Sequence, residues 1–302
     1  MRCAAYLTAA ALAGASVLPS TLMAQSAPLE KTYADLNAFA SDVPDPVVPN
    51  WYSQFWAGDM VYCTGSLIAA QWVLTAKHCR GNLDAAIGYG IAYLAFGPNQ
   101  DVRREPDGLV EIDGADIMLV HISKPVDGVK PAGFWNWDEY WAQGTHYGVP
   151  DLQLPLEFQY TRSFGSGGYG SSKQINNVLG TVLYRNQKPA VRFSFTAKEG
   201  QQPEVYTGFQ IQTYDTNTYK AGDSGGPTID ASGNIIGIMA GGGGAKASEK
   251  ATISLIATEQ YNKIISAMQN PPLETLTQAT TANTVSPEQK VAPAPQAKGS
   301  LF

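Results

Sequence analysis

The chain has three histidines and three cysteines among its 302 residues, and it sets one of each side by side, His78 and Cys79, in "LTAKHC". An imidazole beside a thiol is compatible with half a metal site, with a redox pair, or with two unrelated core residues. A second stretch, "GDSGGP" at 222–227, suits a sharp turn that exposes the hydroxyl of Ser224. Its glycines allow unusual backbone angles and let N–H groups turn toward a bound carbonyl. The same string also fits an ordinary glycine-rich turn between strands.

The elements around these residues have to be short strands. From Trp51 onward, apolar runs such as "IAYLAF", "ADIMLVHI", "VLGTVLYR", "AVRFSF" and "GNIIGIMA" are separated by Gly, Asn, Asp and Pro. β-Branched and aromatic residues in alternating patterns, split by turn signals, indicate an all-β barrel or sandwich. One helix is predicted late, in "TEQYNKIISAMQ", where Tyr261, Ile264, Ile265 and Met268 fall on one face and Pro271-Pro272 ends the run.

Composition narrows the partners. Charged residues are 15% of the chain, against about 25% for an average soluble domain. A net charge of -6 with no basic patch argues against nucleic acid and anionic membrane as partners.

Residues 1–24 form a separate segment, with Arg2, an apolar stretch over 4–17 and the small Ala24. This pattern predicts a secretory signal peptide, because the apolar run falls short of the ~20 residues of a membrane span. Residues 25–48 read as an N-terminal arm or propeptide, 49–270 as one folded domain and 271–302 as a disordered tail poor in large apolar residues. Export removes Cys3 and leaves Cys63 and Cys79, for which a disulfide is expected. Two cysteines with one adjacent His lack the fourth ligand of a structural zinc site.

Taken together and in order, "CTGSLIAAQWVLTAKHC", "ADIMLVHI" and "GDSGGP" resemble the signature blocks of the chymotrypsin/trypsin-like serine endopeptidases, over roughly Trp51 to Gln269. The resemblance implies two antiparallel six-stranded β-barrels with a C-terminal helix and a catalytic cleft between them. It assigns Ser224 as nucleophile, His78 as general base and then acid, and Asp116 as orienter of the imidazole. The N–H groups of Gly222 and Ser224 become the oxyanion hole, and the Cys63–Cys79 bridge braces His78. Asp113 is the chemical rival of Asp116, and His121 and His146 are rivals of His78 without the adjacent bridged cysteine.

The implied protein is a secreted (extracellular or periplasmic) monomer that cuts protein or peptide substrates, with no metal or organic cofactor and no membrane span. The base of the primary specificity pocket falls on Thr218, and its walls on Ala240, Gly241 and Gly242. An uncharged Thr218 predicts cleavage after apolar or aromatic residues. The competing reading is an acidic preference served by Lys220. Two alternatives of other kinds are a catalytically silent relative that acts as a secreted binding protein, and an esterase, which the order His, Asp, Ser disfavours.

Two positions depart from the family pattern. Lys77 stands where a small residue is usual and is expected to face solvent or an acid. Asp223 normally pairs with an N-terminal amine freed by cleavage, yet no "IVGG"-like segment precedes Cys63. Two further stretches are weaker signals: "GSGGYGSSK" (165–173) reads as a hairpin or barrel-connecting loop, and "FWNWDEYW" (134–141) as packing between the barrels in preference to a ligand surface.

Overall fold

A computed structural model of the chain describes residues 47–142, 161–168, 175–183, 190–195, 204–213, 219–230, 233–242, 250–271 and 273–276. Seven strands come first: β1 (Tyr52–Ala57), β2 (Met60–Ala69), β3 (Trp72–Thr75), β4 (Ala92–Phe96), β5 (Val102–Arg104), β6 (Pro106–Ile112) and β7 (Ile117–Ile122). Then follow β8 (Thr161–Gly165), β9 (Asn176–Leu183), β10 (Ala190–Phe195), β11 (Glu204–Thr213), β12 (Pro227–Ile229), β13 (Ile235–Gly242) and β14 (Lys250–Leu255). The last is β15 (Glu274–Thr275).

These strands form two antiparallel sheets, as the resemblance implies. In the second, β8, β9, β11, β14, β13 and β12 make a closed ring of six, because β9 pairs with β11 as well as β8. β10 hangs on β11 as a seventh. The first sheet runs β6-β7-β3-β2-β1-β4, and the short β5 and β15 lengthen its two ends to eight strands. The departure from six per sheet therefore lies in the short β5 and β15 on the first set of six and in β10 on the second.

β2 shows why the two sheets act together. All but its end residues are buried, so the inside–outside alternation of a half-exposed strand is lost. One face feeds the first core through Cys63 and Leu67, while Thr64 reaches the loop before β12. The largest buried cluster joins first-sheet residues such as Leu74 and Ile117 to Phe164, Ile229 and Ile238 of the second.

Three helices appear among the described residues: α1 (Arg80–Gly88), α2 (Trp137–Ala142) and α3 (Thr258–Gln269). α3 is the helix read from the sequence, with Ile264 and Ala267 most buried. Its N-terminus takes a carboxylate from α2, since Thr258 N–H and hydroxyl donate to Asp138 Oδ2. The aromatic stretch links both cores. Phe134 packs on the first cluster, while Trp137 stacks on Phe209 in the second at 4.6 Å.

The tail needs one correction. The sequence places its start at Pro271, but Glu274 and Thr275 pair with Leu109 and Gly108 of β6. Leu276 N–H also donates to Asp107.

Candidate active site

β3 ends at Thr75, and the chain turns through one 3₁₀ turn, Lys77–Cys79, directly into α1. Cys79 is bonded to Cys63 on β2 (Cα–Cα 6.3 Å), so the turn is fixed covalently to the strand two removed from β7 in the sheet order. His78 lies inside that turn with its ring largely covered.

Asp116 stands just before β7 and is 0% exposed. Its Oδ2 lies 2.7 Å from His78 Nδ1, and its Oδ1 accepts the main-chain N–H of His78 at 2.9 Å. A carboxylate this deep is costly unless hydrogen-bonded, and both oxygens are engaged by one residue. Nε2 is the ring nitrogen that this carboxylate does not use. Asp113 is exposed and sits apart, its carbonyl accepting Lys263 Nζ. His121 is taken by Asp107 (2.5 Å) and lies edge-on to Trp72. His146 falls outside the described residues.

Ser224 lies in the turn between residue 219 and β12 and is partly exposed. Thr64 holds this turn from β2: its N–H donates to Ser224 carbonyl at 2.8 Å and its hydroxyl to Gly222 carbonyl at 2.9 Å. Gly222 has φ +98°, and a Cβ there would strike Ser166 Oγ, so only glycine fits. Asp223 N–H is used within the turn, by Lys220 carbonyl. Among the described residues, the flanking N–H groups of Gly222 and Ser224 have no acceptor. Two donors left open beside an accessible hydroxyl can receive an anionic oxygen.

Asp223 is 1% exposed, and its carboxylate is received by the chain itself. Oδ1 accepts Gly167 N–H at 2.8 Å and Oδ2 accepts Lys220 N–H at 2.7 Å. That supplies hydrogen bonds where the sequence offered no partner.

Lys77 does not face solvent. Its side chain is 8% exposed and paired with Glu204 (2.8 Å) and Glu111 (3.3 Å). Burial alone would lower the Lys77 pKa, but the Glu204 hydrogen bond and the Glu111 charge outweigh it and raise it. Glu204 moves down, held by Lys77 first and then by the Tyr206 hydroxyl. The Tyr206 hydroxyl is pushed up by burial, by its bond to Glu204 and by the charge of Asp116. Sequence reading missed Thr64, Glu204 and Tyr206. The one available signal was a lysine where the family has a small residue.

Of the specificity residues, Thr218 lies outside the described residues. Its neighbour Tyr219 is buried and donates to Ser163. Ala240 is buried against Tyr206, and Gly241 and Gly242 finish β13 beside Thr252 and Ala251 of β14.

Comparison with known proteins identifies the family and the fold. The profile of the family described as Trypsin matches residues 48–265. Mouse tryptase is 34% identical over 111 residues, covering 32% of this chain and 40% of that protein. Serine protease SSP1 of Scolopendra subspinipes is 24% identical over 185 residues, covering 57% and 58%. The thrombin-like enzyme elegaxobin-1 of Protobothrops elegans is 37% identical over 78 residues, 22% and 32%. The chain thus spans from 32% to 58% of the length of these relatives. Among solved structures, human heparin binding protein shares the fold at a TM-score of 0.50 and 14% identity, over 74% of this chain and 92% of that one.

Proposed function

This chain belongs to the trypsin family of serine proteases, and from that premise we propose that it is a secreted endopeptidase working through Ser224, His78 and Asp116. The observation that carries the reading is the bidentate hold of Asp116 on His78. It fixes the imidazole with Nδ1–H toward the carboxylate, which makes Nε2 the nitrogen that accepts the proton in this reading.

In the first step Ser224 Oγ attacks the scissile carbonyl carbon while His78 Nε2 takes the hydroxyl proton. The oxygen that gains charge meets the N–H groups of Gly222 and Ser224, a device worth about 3–4 kcal/mol per donor in other hydrolases. Collapse of the tetrahedral species breaks the C–N bond, and the proton on His78 passes to the leaving amine. Water then repeats the sequence on the acyl-Ser224 ester and releases the acid. Asp116 stays ionised and stabilises the imidazolium formed in each half.

The substrate preference is proposed from neutral chemistry. Tyr219 presents no charge, Thr218 has only a hydroxyl, and the Ala240–Gly242 wall leaves room for a bulky group. Cleavage after apolar or aromatic residues follows, since a buried cation would need a paired charge.

A serine-directed fluorophosphonate tests the reading: the adduct is expected on Ser224 and absent in Ser224→Ala, with casein digested only by the unmodified protein. Failure of both labelling and digestion sinks it and promotes the silent binding protein. A peptide library read by mass spectrometry tests the preference, and dominant cleavage after Lys or Arg overturns it.

A further inference from the structure

The two residues that flank the His78-Cys79 pair are both cations, and one carboxylate takes both. Glu111 on β6 receives Lys77 on Oε2 (3.3 Å) and Arg80 on Oε1 (3.0 Å). Arg80 also meets Asp84 at 3.0 Å and, from the far end of the chain, Glu274. These contacts anchor the turn to its own sheet and to α1. Glu204 is the member of this cluster that comes from the second sheet, at the start of β11. Its Oε2 gathers Lys77 Nζ at 2.8 Å and the Tyr206 hydroxyl at 2.6 Å. Tyr206 is buried against Ala240 of β13, whose neighbour Met239 accepts the N–H of Gly225, the residue after Ser224.

We propose that Lys77 and Glu204 form a positioning pair across the two sheets, setting the turn of His78 and Asp116 against the loop of Ser224. The inference rests on the endopeptidase reading. Stability alone does not account for the pair, because burying an ammonium against carboxylates gains little over an apolar side chain of the same shape. What the pair adds is direction. Lys77 directly precedes His78 in the chain, and its ammonium has a fixed partner in the sheet whose loop carries the nucleophile. Displacement of reacting groups by 1 Å costs about 10²-fold in rate, so a latch at this point acts on the chemical step and leaves substrate binding alone. In this proposal both residues act through His78.

The test uses the full mature protein with Lys77→Met, Lys77→Arg, Glu204→Gln and the Lys77→Met/Glu204→Gln double variant. Steady-state cleavage of a fluorogenic peptide is expected to show kcat lowered about 10- to 100-fold in Lys77→Met and Glu204→Gln, with KM moved less than about twofold. The double variant should be no worse than the poorer single one, because both break one contact. Lys77→Arg, which can fork onto Glu204 and Glu111, should recover kcat to within about threefold. An unchanged kcat in both Lys77→Met and Glu204→Gln overturns the proposal, as does strict additivity in the double variant. If Lys77→Met fails to fold, Glu204→Gln decides, since the Glu204 side chain is about half exposed. A second readout, solvent exchange of the low-field His78 Nδ1 proton by NMR, does not need turnover. Exchange about tenfold faster in Glu204→Gln supports the latch even if the native protein proves inert to fluorophosphonate and the endopeptidase reading falls. Unaltered exchange rejects it.

Discussion

Thr64 on the first sheet grips the backbone on either side of Asp223 in the second, at Ser224 with its N–H and at Gly222 with its hydroxyl. Its own carbonyl accepts the Thr75 hydroxyl at 2.7 Å, so two adjacent strands share the load of orienting one loop. Gly225 has φ +81° and closes directly on Thr75 and Thr64, leaving no room for a side chain. The open N–H groups of Gly222 and Ser224 therefore have a direction set from the opposite sheet.

Thr64→Val removes the donor to Gly222 and keeps the shape. The carbonyl loses a buried partner, so stability should drop by about 1–3 kcal/mol. The kcat should fall about tenfold or more, as a misdirected oxyanion donor costs transition-state binding. Thr64→Ser should restore both. Thermal melts with steady-state kinetics check it, and a Val variant matching the native kcat refutes the clamp.

Asp116→Asn should lower kcat by about three to four orders of magnitude, because an amide offers His78 the wrong tautomer. Asp113→Asn should change it less than about twofold, given its exposed position. Side-by-side kinetics of the two variants decide the ranking, and the reverse order would move the orienting role to Asp113.

The all-β class and the last helix were legible because alternating apolar runs, helical spacing and turn residues are local signals, whereas the two-sheet arrangement and the blocks around His78, Asp116 and Ser224 were legible through the family resemblance. α1 was not. Leu83, Ala86 and Ile87 lie at helical spacing, but Gly81 and Gly88 bracket them and suggest a turn. The Lys77–Glu204 and Arg80–Glu274 pairs join residues more than a hundred positions apart, and no local pattern encodes such a match. The same holds for Thr64, whose role depends on a strand presenting its second face to another sheet. Asp223 was read as needing a partner, and two main-chain N–H groups, of Gly167 and Lys220, receive its carboxylate, which side-chain patterns do not reveal.

Reducing Cys63–Cys79 should cost about 3 kcal/mol by the entropy of the 16-residue separation. It should also lower activity at temperatures where the fold survives, because Cys79 adjoins His78. Calorimetry with and without reductant, and thiol counting on the unreduced protein, are the measurements. Two free thiols in the native protein would contradict the bridge.

Acid should loosen the Lys77–Glu204 pair. The Glu204 pKa is lowered below 4.5 in the fold, so its contribution is present above that value and disappears as pH falls through the folded pKa. Lys77 is raised above 10.5, so its contribution is present below that value and is lost at more alkaline pH. Melting temperature against pH should therefore fall below about pH 4.5 less steeply in Glu204→Gln than in the native protein. Superimposable acid limbs would show that the pair adds nothing to the folded state.

The last described strand gives the final prediction. After α3 the backbone returns to the first sheet, where Glu274 and Thr275 lengthen β6, Leu273 covers Gly108 and Glu274 meets Arg80. Arg80 is the residue after Cys79, so this short strand bears on the turn of His78. Ending the protein after Leu276 should leave melting temperature and kcat close to native. Ending it after Asn270 removes the strand and one carboxylate of Arg80, which keeps Asp84 and Glu111. The Arg80–Glu274 contact is largely exposed on the acid's side and is worth at most about 1 kcal/mol. With the lost strand pairing, the total should reach about 1–2 kcal/mol, or roughly 2–8 °C in melting temperature for a domain of this size. Glu274→Gln in the full chain separates the ion pair from the strand, and should account for less than half of that loss. If the protein ending after Leu276 fails to fold, residues 277–302 belong to the core and the boundary drawn here is wrong.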